Sequence, residues 1–268
     1  MVLSKARESP LRKLFCRIGS KTKIAKLITN LIKKVSPDHK IYVEPFVGSG
    51  AVYFAIEKRP NIKEVLNDKD KDLINAYKLV KRSSLPEEDG ERNALFKQLN
   101  RYNRSNESLT KFYKSKGGSN IEKLGKAIVK YCGTFSSKGS GPAYSSKHSN
   151  FVNKLRNLDR YKERMKDTIF HSMDWKAVVN KYDSPSTLFY LDPPYEDSQR
   201  LYEHGIIDMV DLHNTLKELK GQWVLSLNSN PDLIKLFSDI GKVKVIAIKG
   251  REDLDIGKDR KELLIYKK

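Results

Sequence analysis

Residues 187–195 (TLFYLDPPY) join an apolar run to residues that could hold a nucleobase. Pro193 and Pro194 fix their φ angles and lack backbone N–H groups, so the turn after the run is stiff and offers mainly acceptors. The Asp192 carboxylate and the proline carbonyls could accept hydrogen bonds from an exocyclic amino group. Tyr195 adds an aromatic face on which a base could stack. The competing interpretation is a rigid turn with a tyrosine packed in the core.

Two further motifs contain residues that suit a nucleoside. In EPFVGSG, Glu44 ends an apolar run, and Gly48 and Gly50 form a turn that lets a ligand approach the backbone closely. Asp68 follows a second apolar run, where a carboxylate can accept hydrogen bonds from ribose hydroxyls. A plain tight turn and a helix-capping aspartate are the alternatives. Because neither a GxGxxG nor a GxxxxGKS/T motif occurs, we expect a nucleoside with a small attached group.

The elements that must position these residues alternate along the chain. Apolar strands and amphipathic helices follow one another, which favours a mostly parallel, doubly wound α/β sheet with an antiparallel pair at its end. In HSMDW, Asp174 follows a strand and could accept the amino group of a cofactor adenine, with Trp175 or Phe46 beside the ring. The predicted strands cover residues 41–44, 62–68, 168–172, 187–191, 222–228, 242–248 and 262–267, and the predicted helices cover residues 21–35, 51–58, 71–82, 206–219 and 231–240.

The middle of the chain breaks this alternation. We expect a catalytic domain formed by residues 1–80 and 171–268, with residues 81–170 as an inserted, mostly helical domain. The whole chain carries 52 Lys and Arg against 33 Asp and Glu, a net charge of +19, and the insert carries 20 against 9, a net charge of +11. Basic residues interleaved with Tyr, Phe, Asn, Ser and Gly are typical of nucleic-acid contacts. We therefore expect a polyanionic partner.

The composition excludes several classes of protein. Cys16 and Cys132 stand far apart, outside any CxxC motif or histidine cluster, so we expect neither a disulfide framework nor a metal site. No stretch is long and apolar enough to span a membrane, and the first residues lack the apolar core of a signal peptide. These features predict a cytoplasmic protein that does not contact membranes.

The motifs EPFVGSG, LND and DPPY, with the insert between the second and the third, resemble those of amino-methyltransferases of the DNA adenine methylase (Dam) type. RIGSKTK near the N-terminus and LSLN in the second half extend the resemblance over nearly the whole chain. It implies a Rossmann-like methyltransferase sheet, S-adenosyl-L-methionine as cofactor and double-stranded DNA as partner, with the insert as target recognition domain. It also puts Arg17, Lys21, Asp68 and Asp192 at cofactor-contact positions. Such a protein is expected to associate with the nucleoid, as a monomer or as a dimer on DNA.

The residues Asp192, Pro193, Pro194 and Tyr195 suit the chemistry that this resemblance implies. The lone pair of an adenine amino nitrogen is delocalised into the ring. Accepting both N–H protons at Asp192 and the Pro193 carbonyl would localise it, and the carboxylate would favour the positive charge that develops on nitrogen. The base must leave the duplex to reach such a pocket, where Tyr195 would stack on it. We therefore predict that these four residues are catalytic and need no metal.

The residues that read the target sequence are predicted within the insert. Small hydroxyl residues replace the arginine that GATC-specific enzymes of the Dam type use there, so the resemblance does not extend to GATC specificity. The alternatives are an RNA adenine, a DNA cytosine-N4 or a protein-glutamine methyltransferase, and a catalytically silent nucleic-acid-binding subunit. The resemblance implies Ser or Asn at the position of Asp192 for the cytosine and glutamine targets, so Asp192 favours adenine, and RNA adenine stays an open alternative. A silent subunit is disfavoured because Asp192, Tyr195 and the glycine loop are intact. The predicted DNA-contacting residues are Arg101, Asn103, Arg104, Ser136, Ser137, Lys138 and Lys147.

Overall fold

A computed structural model describes residues 11–16, 19–82, 107, 111, 112, 114–133, 157–194, 207–248 and 260–268. Seven strands in these ranges form one sheet in the order β3-β2-β1-β4-β5-β7-β6. The strands are β1 (Ile41–Glu44), β2 (Lys63–Asn67), β3 (Ile169–His171), β4 (Thr187–Leu191), β5 (Gln222–Asn228), β6 (Gly241–Ile248) and β7 (Arg260–Lys267).

The pairing of the strands confirms the predicted Rossmann-like, doubly wound sheet. Strands β1 to β5 pair in parallel, with β1 between β2 and β4. Strand β7 pairs antiparallel with both β5 and β6, which is the antiparallel pair expected at the end of the sheet. The strand order reverses between β1 and β4, and doubly wound sheets form their ligand crevice at such a reversal.

Helices cover both faces of the sheet. The first four pack on one face and the last three on the other. Successive residues of a central strand join opposite clusters, as Tyr42 and Val43 do in β1, because side chains alternate along a strand. No helix within the described ranges is long and apolar enough to cross a membrane. The helices are α1 (Ala25–Val35), α2 (Lys71–Arg82), α3 (Asn120–Gly133), α4 (Leu158–Met165), α5 (Trp175–Tyr182), α6 (Met209–Glu218) and α7 (Pro231–Phe237), with a 3₁₀ turn at Lys21–Lys23 before α1.

One predicted helix is wrong. Residues 51–56 form consecutive turns after the glycine loop, where the sequence predicted a helix over residues 51–58. The Phe54 N–H donates to Gly50 O at 2.9 Å, whereas the Ala55 N–H donates to Val52 O at 3.0 Å, so the spacing of the hydrogen bonds changes within one turn. Val52 and Phe54 are buried in the same cluster as Tyr53, and this packing overrides helix propensity.

Two of the helices lie between residues 81 and 170, and both pack on α2. In α3, Lys130 Nζ lies 2.7 Å from Asp72 Oδ2, and the Tyr131 hydroxyl donates to both carboxylate oxygens of Asp70 at 3.1 Å. Strand β3 begins at Ile169, so residues 169 and 170 belong to the sheet. Both helices also bury side chains in the cluster on one face of the sheet, so these parts of residues 81–170 pack with the sheet. The role of residues 81–170 as a target recognition domain stays a prediction.

Candidate active site

A cavity of about 300 Å³ lies at the carboxyl ends of strands β1 to β4. Its volume is at the lower end of the range of about 300–1,000 Å³ that small-molecule sites span. Residues at the end of β1 and in the turn after the neighbouring β4 both line it, at the reversal of strand order where a crevice is expected. The predicted site residues that line this cavity are Lys21, Glu44, Phe46, Gly48, Asp68, Asp174, Asp192, Pro193 and Pro194.

The glycine loop after β1 is fixed by Asp68. Its Oδ2 accepts a hydrogen bond from the Gly48 N–H at 2.9 Å, and its Oδ1 accepts one from the Asp70 N–H at 3.0 Å. The aspartate that caps α2 is Asp70, whose Oδ1 accepts from the Leu73 N–H at 3.1 Å. The helix-capping alternative for Asp68 is therefore wrong, and its carboxylate lies at the cavity wall with the loop bound to it.

Gly50 lies behind this loop. Its φ of +69° is in the left-handed region, and a Cβ atom there would come within 2.9 Å of both the Phe54 ring and the Tyr77 hydroxyl. The Tyr77 hydroxyl donates to Gly48 O at 3.0 Å. Gly50 therefore allows the close packing that supports the loop, whereas Gly48 is the glycine of this loop that lines the cavity.

Asp192 is held from two sides at the end of β4. Lys21 Nζ lies 2.8 Å from Asp192 Oδ1 and donates a hydrogen bond to Gly19 O at 3.0 Å. The Ser226 hydroxyl donates to the same Asp192 oxygen at 3.1 Å and lies 3.0 Å from the Tyr190 hydroxyl. Because the Lys21 side chain is only 2% exposed, Asp192 is a charge partner for a buried ammonium as well as a cavity residue.

Glu44 is the second carboxyl group of this region. It is 1% exposed and accepts a hydrogen bond from the Tyr42 hydroxyl at 2.7 Å. Burial raises the pKa of Glu44 to about 8, and the negative charge of Asp192 acts in the same direction, against the hydrogen bond from Tyr42. At neutral pH Glu44 therefore keeps its proton, and it adds no full negative charge beside Asp192.

One wall of the cavity is aromatic. The rings of Phe46 and Trp175 lie 6.0 Å apart between centroids, with an interplanar angle of 35°. Asp174 precedes Trp175 and caps α5 by accepting a hydrogen bond from the Lys176 N–H at 2.9 Å. Both aromatic residues and Asp174 therefore line the cavity, and Asp174 also has a structural role as helix cap. Their contacts with a cofactor adenine stay a prediction.

Two residues with a clear role in this site were missed from the sequence. Asn67 donates to Pro45 O at 2.9 Å and to Met173 O at 3.1 Å, and its own side-chain oxygen accepts from the Met173 N–H at 3.0 Å. It therefore joins the loops that follow β1 and β3. Ser226 supports Asp192 from β5. Each is a polar residue within an apolar strand, and this is the signal by which they could have been found.

The other predicted site residues lie outside the described residues, and their roles stay predictions. Within the described ranges, no group of three or more His, Cys, Asp or Glu side chains could hold a metal ion. The predicted residues outside these ranges are Arg17, Tyr195, Arg101, Asn103, Arg104, Ser136, Ser137, Lys138 and Lys147.

A comparison with family models bears on these motifs directly. The model of the D12 class N6 adenine-specific DNA methyltransferases matches residues 18–253, which include the glycine loop, Asp68 and the DPPY motif. A comparison with curated proteins gives no match. Since the matched segment covers most of the chain and contains the whole cavity wall described above, the family model and the geometry agree. The chain belongs to the D12 class N6 adenine-specific DNA methyltransferase family.

Proposed function

We propose that the protein transfers the methyl group of S-adenosylmethionine to the N6 amino group of an adenine that has left duplex DNA. Family membership establishes an adenine-specific DNA methyltransferase. The observation that carries the finer proposal is the position of Asp192 and Pro193, which line one cavity together with aromatic and glycine residues. An amino group that enters this cavity meets a carboxylate and a carbonyl, both of them acceptors.

The cavity residues fit the proposed cofactor. Phe46 and Trp175 offer ring faces to an adenine, and Asp68 offers a carboxylate to ribose hydroxyls. Gly48 has no atom within 4 Å of the position a Cβ would take, so the loop leaves open space on its cavity side. When bound, S-adenosylmethionine would supply a methyl group whose bond to a positively charged sulfur breaks as a bond to nitrogen forms. Carboxylates along the wall suit a ligand with a positive charge.

Asp192 would act on the target amino group in two ways. By accepting one N–H while the Pro193 carbonyl accepts the other, it would hold the nitrogen so that its lone pair points out of the base plane. The nitrogen becomes positively charged as it gains the methyl group, and the nearby carboxylate favours that charge. One of its protons then leaves to Asp192 or to water, and the neutral methylamino group remains.

An adenine can enter this cavity only after it has left the base stack of the DNA duplex. Asp192 lies at the end of a strand whose residues are all buried, so a duplex cannot bring a stacked adenine to it without distortion. Methyltransferases that act on bases flip the nucleotide out, at a cost of roughly a few kcal/mol for unstacking and unpairing. Stacking on Tyr195 would offset part of this cost.

The test uses the full-length protein and synthetic DNA duplexes. Mass spectrometry of digested product should show N6-methyladenine, and Asp192→Ala should abolish its formation. Asp192→Asn retains an oxygen for Lys21 and Ser226 but loses the charge. Its folded fraction is measured by urea denaturation, because Lys21 loses a charge partner, and the folded variant should react at least about tenfold more slowly than the wild type.

The matched control is Asp167→Asn, which removes an exposed carboxylate beside Lys58, far from the cavity, and should react at the wild-type rate. Equal rates for the wild type and both Asp192 variants would contradict the proposed role of Asp192. Single-stranded DNA and RNA of the same sequence are tested in parallel, since a preference for either would contradict the duplex substrate.

A further inference from the structure

Strand β7 brings an additional carboxylate to the edge of the site. Because β7 runs antiparallel between β5 and β6, its first residues lie at the edge where the parallel strands end. Glu262 of β7 pairs with Asn228, the last residue of β5, and is only 8% exposed. It lies beyond the segment that the family model matches, which ends at residue 253. Glu262 is the first of four consecutive buried residues of β7, and a buried carboxylate is unusual unless its charge has a partner.

The partner on the cavity side is Lys21. Its Nζ atom lies 2.8 Å from Asp192 Oδ1 and 3.9 Å from Glu262 Oε1. One buried ammonium group therefore lies between two carboxylates, one that lines the cavity and one that does not. Both carboxylates belong to the same face of the sheet. One residue beyond the Leu191–Leu225 pair, Asp192 is opposite Ser226, which pairs with Leu264 of β7, and Glu262 lies two residues from Leu264 on the same face.

The second carboxylate changes what Asp192 can do. An ammonium group at 2.8 Å offsets most of the charge of a single carboxylate, which weakens the attraction of that carboxylate for a positive charge on a substrate. With Glu262 on the other side of Lys21, the three groups together keep a net negative charge. Because the three groups have low exposure, water screens their charges only weakly, and their net negative charge acts on a ligand in the cavity.

We propose that Glu262 is a positioning residue for methyl transfer, which acts through Lys21 on Asp192. It holds the Lys21 ammonium group in place and shares its charge, so that Asp192 keeps enough negative charge to favour the cation that forms on the target nitrogen. The proposal rests on the role of Asp192 in the proposed function. It predicts an effect on the rate of transfer, whereas a carboxylate that only filled space would affect folding and ligand binding.

The experiment compares Glu262→Gln, which keeps the shape and loses the charge, with Glu262→Asp, which keeps the charge. Single-turnover methyl transfer to duplex DNA is measured at saturating S-adenosylmethionine, with cofactor and DNA affinities measured separately. Glu262→Gln should lower the single-turnover rate about tenfold or more and leave both affinities within about twofold, and Glu262→Asp should recover most of the rate. Glu57→Gln, which removes an exposed carboxylate from Lys33, is the matched control and should react as the wild type does.

A double variant tests the route through Lys21. If Glu262 acts through that ammonium group, Lys21→Gln/Glu262→Gln should be no slower than Lys21→Gln alone, because the two effects are then not additive. A wild-type rate in Glu262→Gln would overturn the proposal, and so would additive losses in the double variant. If Glu262→Gln does not fold, Glu262→Asp decides, since a loss of about tenfold in the single-turnover rate of this variant, which keeps the charge, would overturn the proposal. An inactive wild-type protein would instead contradict the proposed function.

Discussion

At the scale of single residues, burial changes the acid–base chemistry of Glu44 from that of the free amino acid. Its pKa of about 8 arises chiefly from burial, so the folded protein holds a proton that the unfolded chain releases near pH 4.5. Raising the pH between these values therefore favours the unfolded chain. The stabilising contribution is complete below about pH 4.5 and is lost as the pH rises to about 8.

Replacing Glu44 with Gln should remove this pH dependence. The amide oxygen can still accept the hydrogen bond from Tyr42, and the side chain no longer ionises. Between about pH 5 and pH 8, the free energy of unfolding should therefore fall by a few kcal/mol more in the wild type than in Glu44→Gln. Urea denaturation of both proteins at intervals of one pH unit measures the difference between their free energies of unfolding. The contributions of the other titrating groups are the same in both proteins and cancel in this difference.

Glu218→Gln is the control for removing a carboxylate, at an exposed position of α6. The free energies of unfolding of Glu44→Gln and the wild type could instead differ by the same amount at every pH in this range. That result would show that Glu44 ionises in the folded protein as it does in the unfolded chain.

At the scale of elements, α4 is fixed to the sheet by one buried arginine. The Arg164 guanidinium donates to both oxygens of Glu64 on β2, at 2.6 and 2.8 Å, and lies over the Tyr53 ring with 3.9 Å between its central carbon and the ring centroid. It also donates to the Tyr53 hydroxyl and carbonyl oxygens, at 2.8 and 3.0 Å. Both partners of the ion pair are less than 10% exposed. Loss of one partner would leave the other charge buried without compensation.

Arg164→Met should therefore lower the free energy of unfolding by about 3–5 kcal/mol. The double variant Arg164→Met/Glu64→Gln should lose less than the sum of the two single variants, because it leaves no uncompensated charge. Lys166→Met, which removes the exposed partner of Glu163 in the next turn, should leave the denaturation midpoint unchanged. Similar midpoints for Arg164→Met and Lys166→Met would contradict the importance of the buried pair.

The spacing of apolar residues in the sequence predicted most of the sheet, because strands and helices each have a characteristic periodicity of apolar residues. Strand β5 and helix α2 have the predicted bounds, and the positions of Asp68 and Asp192 at strand ends follow from the same pattern. Ser226 could have been noticed as a polar residue in an apolar strand, but its partner Asp192 could not be predicted, and neither could the role of Glu262, because both depend on which residues the strands bring into register. The turns at residues 51–56 were missed because burial of neighbouring aromatic residues decides their backbone.

At the scale of the whole molecule, the chain is positively charged, whereas acidic residues surround the cavity. The chain has a net charge of +19, whereas the acidic residues around the cavity include Asp68, Asp174, Asp192 and Asp208. A phosphate backbone is therefore attracted to the protein but not to the cavity. A cationic cofactor and an uncharged base suit the cavity. We infer that this difference in charge helps to bring only the base into the site.

The predicted DNA-contacting residues of the insert give the last test. Replacing Ser136, Ser137 and Lys138 together with Ala should change which adenines are methylated, because each lost base contact costs about 1–3 kcal/mol of discrimination. Alanine at a lysine that contacts phosphate should instead weaken binding on all sequences and reduce the log–log salt slope by roughly 0.9. Sequencing of methylated product and salt titration of DNA binding separate the two effects. An unchanged methylation pattern together with weaker cofactor binding would contradict the predicted role of Ser136, Ser137 and Lys138 in reading the target sequence, since residues that only read bases should not affect the cofactor.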